Sequence, residues 1–120
     1  MNKNKVVVIF EVKPKKECLK DYLADGINLK IELSKMEGFI SAERFSSLNE
    51  DGKLLSLSVW ENEESVMKWR NHIAHRQSQK AGYNFLFEKY HITVASVIRE
   101  YANDDRMEAP QDSNDYLIGY

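Results

Sequence analysis

The spacing of apolar side chains switches between two periods along this chain, and each switch marks an element. Lys5 to Lys13 (KVVVIFEVK) is rich in β-branched residues, which suit an extended, pleated backbone and predict a strand. Val6, Val8, Phe10 and Val12 alternate to one face of it, Val7 and Ile9 to the other. Pro14, with a fixed φ and no N–H to donate, ends it. From Lys15 to Met36 the period becomes helical, with Leu19, Tyr22, Leu23, Gly26, Ile27 and Leu33 on one broad stripe. Gly26 weakens the middle of that helix by about 1 kcal/mol relative to alanine, which points to a close packing contact there. Glu37-Gly38 stops the helix, because glycine accepts the left-handed conformation that closes it.

Gly38 to Leu48 and Lys53 to Trp60 then read as two strands of a hairpin joined by Asn49-Glu50-Asp51-Gly52. In the second of them Leu55, Leu57 and Val59 share one face, and Leu54, Ser56, Ser58 and Trp60 the other. Asn62 is a good N-cap, followed by Glu63 and Glu64 where a helix dipole favours negative charge. This predicts a helix to Lys80, bent or broken near Asn71 and stopped by Gly82. A last strand spans Phe87 to Tyr101, with Tyr90, Ile92, Val94 and Ile98 against Ala95 and Val97.

The order strand, helix, strand, strand, helix, strand is the split βαβ, or ferredoxin-like, arrangement: an α+β fold with a four-stranded antiparallel sheet and helices on one face. Two helices cover only one face. The first and last strands are apolar on both, so the open face is expected to pair with that of a second copy, giving a two-fold homodimer.

Composition narrows the function. At 120 residues with 42% hydrophobic and 30% charged side chains, the chain suits one globular domain, residues 1–101, with an acidic tail over 102–120. The tail carries Asp104, Asp105, Glu108, Asp112 and Asp115 against Arg106 alone, and its Tyr116-Leu117-Ile118 is a candidate to dock on the partner subunit. The net charge is −2, and Lys13, Lys15 and Lys16 form no more than a solvated rim, so nucleic acid is not an expected partner. The absence of a membrane-span or signal-peptide pattern makes cytoplasmic location the expectation. A lone Cys18 excludes an internal disulfide and a cysteine metal site.

The candidate chemistry lies between Leu55 and Gly82. Trp60, Trp69, Arg70, Asn71, His72, His75 and Gln79 crowd this stretch, and aromatic faces with a few hydrogen-bonding groups suit a planar organic ligand. The competing reading is that both tryptophans are core and both histidines surface. His72 and His75 share a helix face, but no third ligand lies nearby, so no metal site is expected. His91 is expected to be structural, and nothing selects among Tyr22, Tyr83 and Tyr90 as substrate partners.

The sequence resembles the antibiotic biosynthesis monooxygenase (ABM) domain family from about Val6 to Asp112. The likeness is carried by Glu37-Gly38-Phe39, Ser58-Val59-Trp60 before Glu63-Glu64, and Trp69-Arg70-Asn71-His72 followed by His75-Arg76, Gln79 and Gly82. Val97 to Tyr101, Asp105-Arg106 and Ala109-Pro110 resemble the ending of one subgroup. The resemblance implies a dimeric α+β barrel that oxidises an aromatic or quinol-type molecule with O₂, without metal, flavin or haem. His72 or His75 would be the catalytic base, Trp60 and Trp69 the aromatic walls, and Arg70, Asn71 or Gln79 the groups facing developing negative charge. A haem-degrading branch fits less well: Trp69 matches its tryptophan, but Gln79 stands where its haem-ligating histidine belongs and Val6 to Val12 holds no asparagine. Because fold does not dictate function, the alternative is a non-catalytic dimeric module that binds a ligand or serves under stress.

Overall fold

β1 (Val6–Pro14) is a central strand, flanked by β3 (Leu54–Trp60) on one side and β4 (Phe87–Ser96) on the other. β2 (Phe39–Ser46) lies outside β3, so the sheet order is β2-β3-β1-β4 with every pair antiparallel. The computed structural model describes residues 5–79 and 87–118, with the side chains of 74–79 and 116–118 outside that description. The ferredoxin-like α+β expectation holds. β1 sits centrally because both of its faces are apolar: Val8 opposes Ser58 and Val94 on one, and Ile9 opposes Leu57 and Thr93 on the other.

α1 (Leu19–Ser34) is shorter than expected at both ends. A 3-10 turn over Lys16–Cys18 precedes it, since Lys15 is extended after Pro14 and no side chain caps the start. It closes through the Met36 N–H on the Leu33 carbonyl (3.0 Å), and Gly38 turns the chain into β2 at φ +82°. Ser65 packs directly against Gly38, so a Cβ there would be both strained and obstructed.

α2 (Glu63–Gln79) starts where the cap signal places it: Asn62 Oδ1 accepts from the Ser65 N–H (2.8 Å) and the Ser65 hydroxyl (3.0 Å). The expected break near Asn71 is absent and the helix is continuous through it. Asparagine is a weak helix former, but it removes no backbone donor as proline would, and packing overrides a propensity of a few tenths of a kcal/mol. The Gly82 stop lies outside the described residues. β4 ends at Ser96, not Tyr101: among the described residues its ladder with β1 closes with the Val97 N–H on the Lys5 carbonyl (2.9 Å). Ile98 is therefore exposed instead of paired.

The tail ends in α3 (Gln111–Ile118). Arg106 organises its approach, donating to Asn114 Oδ1 (3.0 Å) and Ser113 Oγ (2.8 Å) while lying 5.0 Å over the Tyr101 ring. The docking side chains proposed at Tyr116 to Ile118 lie outside the described residues.

The helices cover one face of the sheet unevenly. At one end Val6, Trp60 and Val66 form a buried core, packed by Leu33, Met36, Phe39 and Trp69. At the other, Phe10, Tyr22, Phe87 and Tyr90 form an aromatic cluster with centroids 5.6–6.1 Å apart. The opposite sheet face presents Val7, Ile9, Leu55, Leu57, Val59 and Phe45, of which Phe45 is exposed and the others half-buried.

Candidate functional site

Between the core and the aromatic cluster, the helices stand off the sheet and leave a cleft of about 940 Å³. The register fixes its floor. Val8 and Phe10 of β1 alternate toward the helices, beside Ile92 and Val94 of β4 on one flank and Ser56 and Ser58 of β3 on the other. Ala42 and Arg44 of β2 extend the second flank. α1 supplies Tyr22, Gly26, Ile27 and Lys30 to the walls, and α2 supplies Val66, Trp69, Arg70 and Ile73. A volume of this size holds a drug-sized organic molecule, and the mix of apolar wall and few polar groups is what such sites use.

Trp60 is not a wall residue. It is 0% exposed, its indole N–H donates to Ser58 Oγ (2.9 Å), and it packs edge-on to Phe39 at 5.4 Å. At the end of a strand flanked by two others it is simply core, the competing reading stated above. Trp69 is half-buried and does line the cleft, 6.2 Å from Trp60. Arg70 lines it too. Asn71 is exposed and absent from the lining. His72 is also outside the lining: its ring stacks on Trp69 at 5.5 Å and 23°, with Nε2 3.1 Å from Glu32 Oε1 of α1. The structure thus supplies the cavity beside Trp69 but sets His72 behind that ring, 42% exposed. The side chains of His75 and Gln79 lie outside the described residues. His91 faces the open side of the sheet, with Nδ1 3.2 Å from Glu11 Oε2.

Residues that the sequence did not single out complete the site. Arg44 reaches over the sheet to α1, where its guanidinium lies in the space a side chain at Gly26 would fill: a Cβ there would stand 2.7 Å from Arg44 Cζ. This is the close contact that a mid-helix glycine foretold. Burial pushes the Tyr22 phenol above its ordinary value of 10.0, with Arg44 opposing the shift and Asp25 adding to it. At neutral pH Tyr22 is therefore a hydrogen-bond donor and not a base. Lys30, Arg44 and Arg70 line the cleft against one carboxylate, Glu43, which alternates to the open face of β2. The site is cationic in an apolar frame. Among the described residues no three His, Cys, Asp or Glu side chains are grouped to hold a metal ion, and no helix is long and apolar enough to cross a membrane.

Comparison with known proteins agrees with this architecture. Residues 5–81 match the family model described as antibiotic biosynthesis monooxygenase, and the chain belongs to that family. A relative from Pyricularia oryzae named jasmonate monooxygenase is 38% identical over 90 residues, covering 75% of this chain and 42% of that protein. The uncharacterized protein YqjZ of Bacillus subtilis is 30% identical over 63 residues, covering 52% of this chain and 54% of its own length. The chain thus spans about half the length of these relatives. The same fold occurs in Rv0793 from Mycobacterium tuberculosis (TM-score 0.70, 17% identity, 82% of this chain and all of that one). It occurs also in SnoaB from Streptomyces nogalater, described as a cofactor-independent oxygenase (TM-score 0.65, 9% identity, 81% and 96% covered).

Proposed function

We propose that this protein is a monooxygenase that takes an electron-rich, apolar organic molecule of aromatic or quinol type into the cleft and oxidises it with O₂, without a resident cofactor. The observation that carries the proposal is a roomy, mostly apolar cleft with cations built into its walls. In such a site a substrate C–H or O–H acid loses its proton more readily, because Arg70 and its neighbours stabilise the anion in surroundings of low dielectric. The anion gives one electron to O₂, and the radical pair joins to form a C–O bond. The resulting hydroperoxide eliminates water and leaves a carbonyl. One oxygen atom enters product and the other leaves as water, so the substrate itself supplies the electrons. The name of the Pyricularia relative supports a small organic substrate.

The proton acceptor in this proposal is His72. With Nε2–H donated to Glu32, Nδ1 is the acceptor; the ring lies outside the cleft lining, so the proton reaches it through a bridging water past the edge of the Trp69 indole. Trp69 supplies the face against which the substrate lies. The open apolar side of the sheet is proposed to pair with that of a second copy, with the tail docking on the partner. The position of His72 behind Trp69 favours a second reading, in which the cleft binds a ligand and performs no chemistry. Oxygen consumption by the metal-free protein against a panel of quinols, anthrones and other polyphenols, beside a spectroscopic haem titration, separates the two. Uptake dependent on His72 supports the enzyme, whereas ligand binding without uptake supports the module.

A further inference from the structure

The cleft floor is divided along its width. On the β1 and β4 side it is hydrocarbon and aromatic: Val8, Phe10, Tyr90, Ile92 and Val94. On the β2 and β3 side, Ser56 and Ser58 replace the branched side chains, and Arg44 stands opposite Ser56 in the register. α1 continues the division above the floor. Gly26 and Lys30 are one turn apart on α1 and both line the cleft, where the Arg44 guanidinium lies against Gly26. Resting on our monooxygenase reading only for the identity of the pocket, we propose that the substrate is amphipathic: an apolar body over β1 and β4 and one carboxylate held by Arg44, Lys30 and Ser56.

Three features make a carboxylate the fitting group. A guanidinium offers parallel N–H donors in a plane, the geometry that two carboxylate oxygens match. Gly26 stands in mid-helix, where alanine would be more stable, and its missing side chain is what lets Arg44 lie against α1. Asp25, beside Gly26, acts on the same Tyr22 phenol as Arg44 and offsets part of the cationic charge, which suits a monoanion better than a phosphate. Arg70 enters from α2, on the other helix, and is assigned to the reacting end.

The test is binding, not turnover. The protein is titrated with 1-naphthylacetate and its uncharged analogue 1-naphthylacetamide at neutral pH and low salt, following tryptophan fluorescence or heat. The acid is expected to bind about tenfold more tightly than the amide, the discrimination that one charge-assisted contact supplies. Arg44→Gln should remove the preference and leave amide affinity in place. Gly26→Ala should do the same by displacing the guanidinium, with the circular dichroism spectrum and Tm retained as evidence of folding. Equal affinities for acid and amide, no binding of either, or a preference that survives Arg44→Gln overturns the proposal. Preference for the acid without O₂ uptake by any substrate sinks the monooxygenase reading alone. Uptake with neutral quinols and no acid preference sinks the carboxylate assignment alone.

Discussion

The imidazole of His72 stacks on the indole of Trp69 at 5.5 Å, while its Nε2 lies 3.1 Å from Glu32 across the gap between α1 and α2. One side chain thereby ties two helices together and backs the aromatic wall of the cleft. The pair is partly exposed, so its worth to stability is at most about 1 kcal/mol. Its worth to catalysis is larger if His72 accepts the proton. His72→Ala should lower turnover by about 10² to 10⁴ with little change in Tm. Unchanged turnover rejects the base assignment.

The two tryptophans separate stability from binding. Trp60→Ala empties the core around Val6 and Val66 and leaves Ser58 without the indole donor. A cost of about 3–5 kcal/mol is expected, read as a fall in the denaturation midpoint. Trp69→Phe keeps an aromatic body in place and should cost well under half of that. Its effect is expected in ligand affinity, measured by calorimetry. If Trp60→Phe weakens binding more than Trp69→Phe does, the wall has been misassigned.

Glu11 gives the open face of the sheet a pH dependence. The Lys53 ammonium, followed by His91, holds its carboxyl below the ordinary value of 4.5. A folded-state pKa below the unfolded one means that Glu11 contributes stability above about pH 4.5, and that the contribution fades as pH falls through the folded value. Glu11→Gln should therefore have a lower Tm than the parent at pH 6 to 7, the two converging once the pH has fallen below the folded-state value. The gap will be small, because the pair is solvent-screened. A difference that widens on acidification contradicts the assignment.

The same face tests the dimer. Ile9, Leu57 and Val59 are central to it, and Phe45 is 43% exposed at its β2 edge. Light scattering should give twice the 14.0 kDa chain mass. Leu57→Asp should yield the monomer with near-normal helix content. A monomeric parent at micromolar concentration contradicts the sheet-to-sheet pairing.

Much of this was legible in the chain because it is local. The alternation within β1 set Val8 apart from Ile9 and that within β3 set Ser58 apart from Leu57, and the register joins Val8 to Ser58 and Ile9 to Leu57. The Asn62 cap and the three-residue spacing of Trp69 and His72 belong to single helices. Trp60 misled because an indole at a strand end looks the same whether it faces a pocket or a core; only its neighbours decide. β4 was overextended because Val97 and Ile98 carry the strand pattern past Ser96, where the described ladder with β1 stops. Arg44 went unread for the opposite reason. Its meaning comes from α1, 18 positions earlier, and the faint signal was a glycine in mid-helix paired with a lone cation alternating with Ala42.

The central claim is that the cleft reduces O₂ at the expense of its ligand. The direct measurement is turnover under ¹⁸O₂ by the purified, metal-free protein with the quinol and anthrone panel, following oxygen uptake and product mass together. The account predicts one O₂ consumed per substrate, one labelled oxygen atom retained in product, and loss of both signals in His72→Ala. Tight ligand binding with no uptake above the uncatalysed rate would contradict it and leave a binding module in its place.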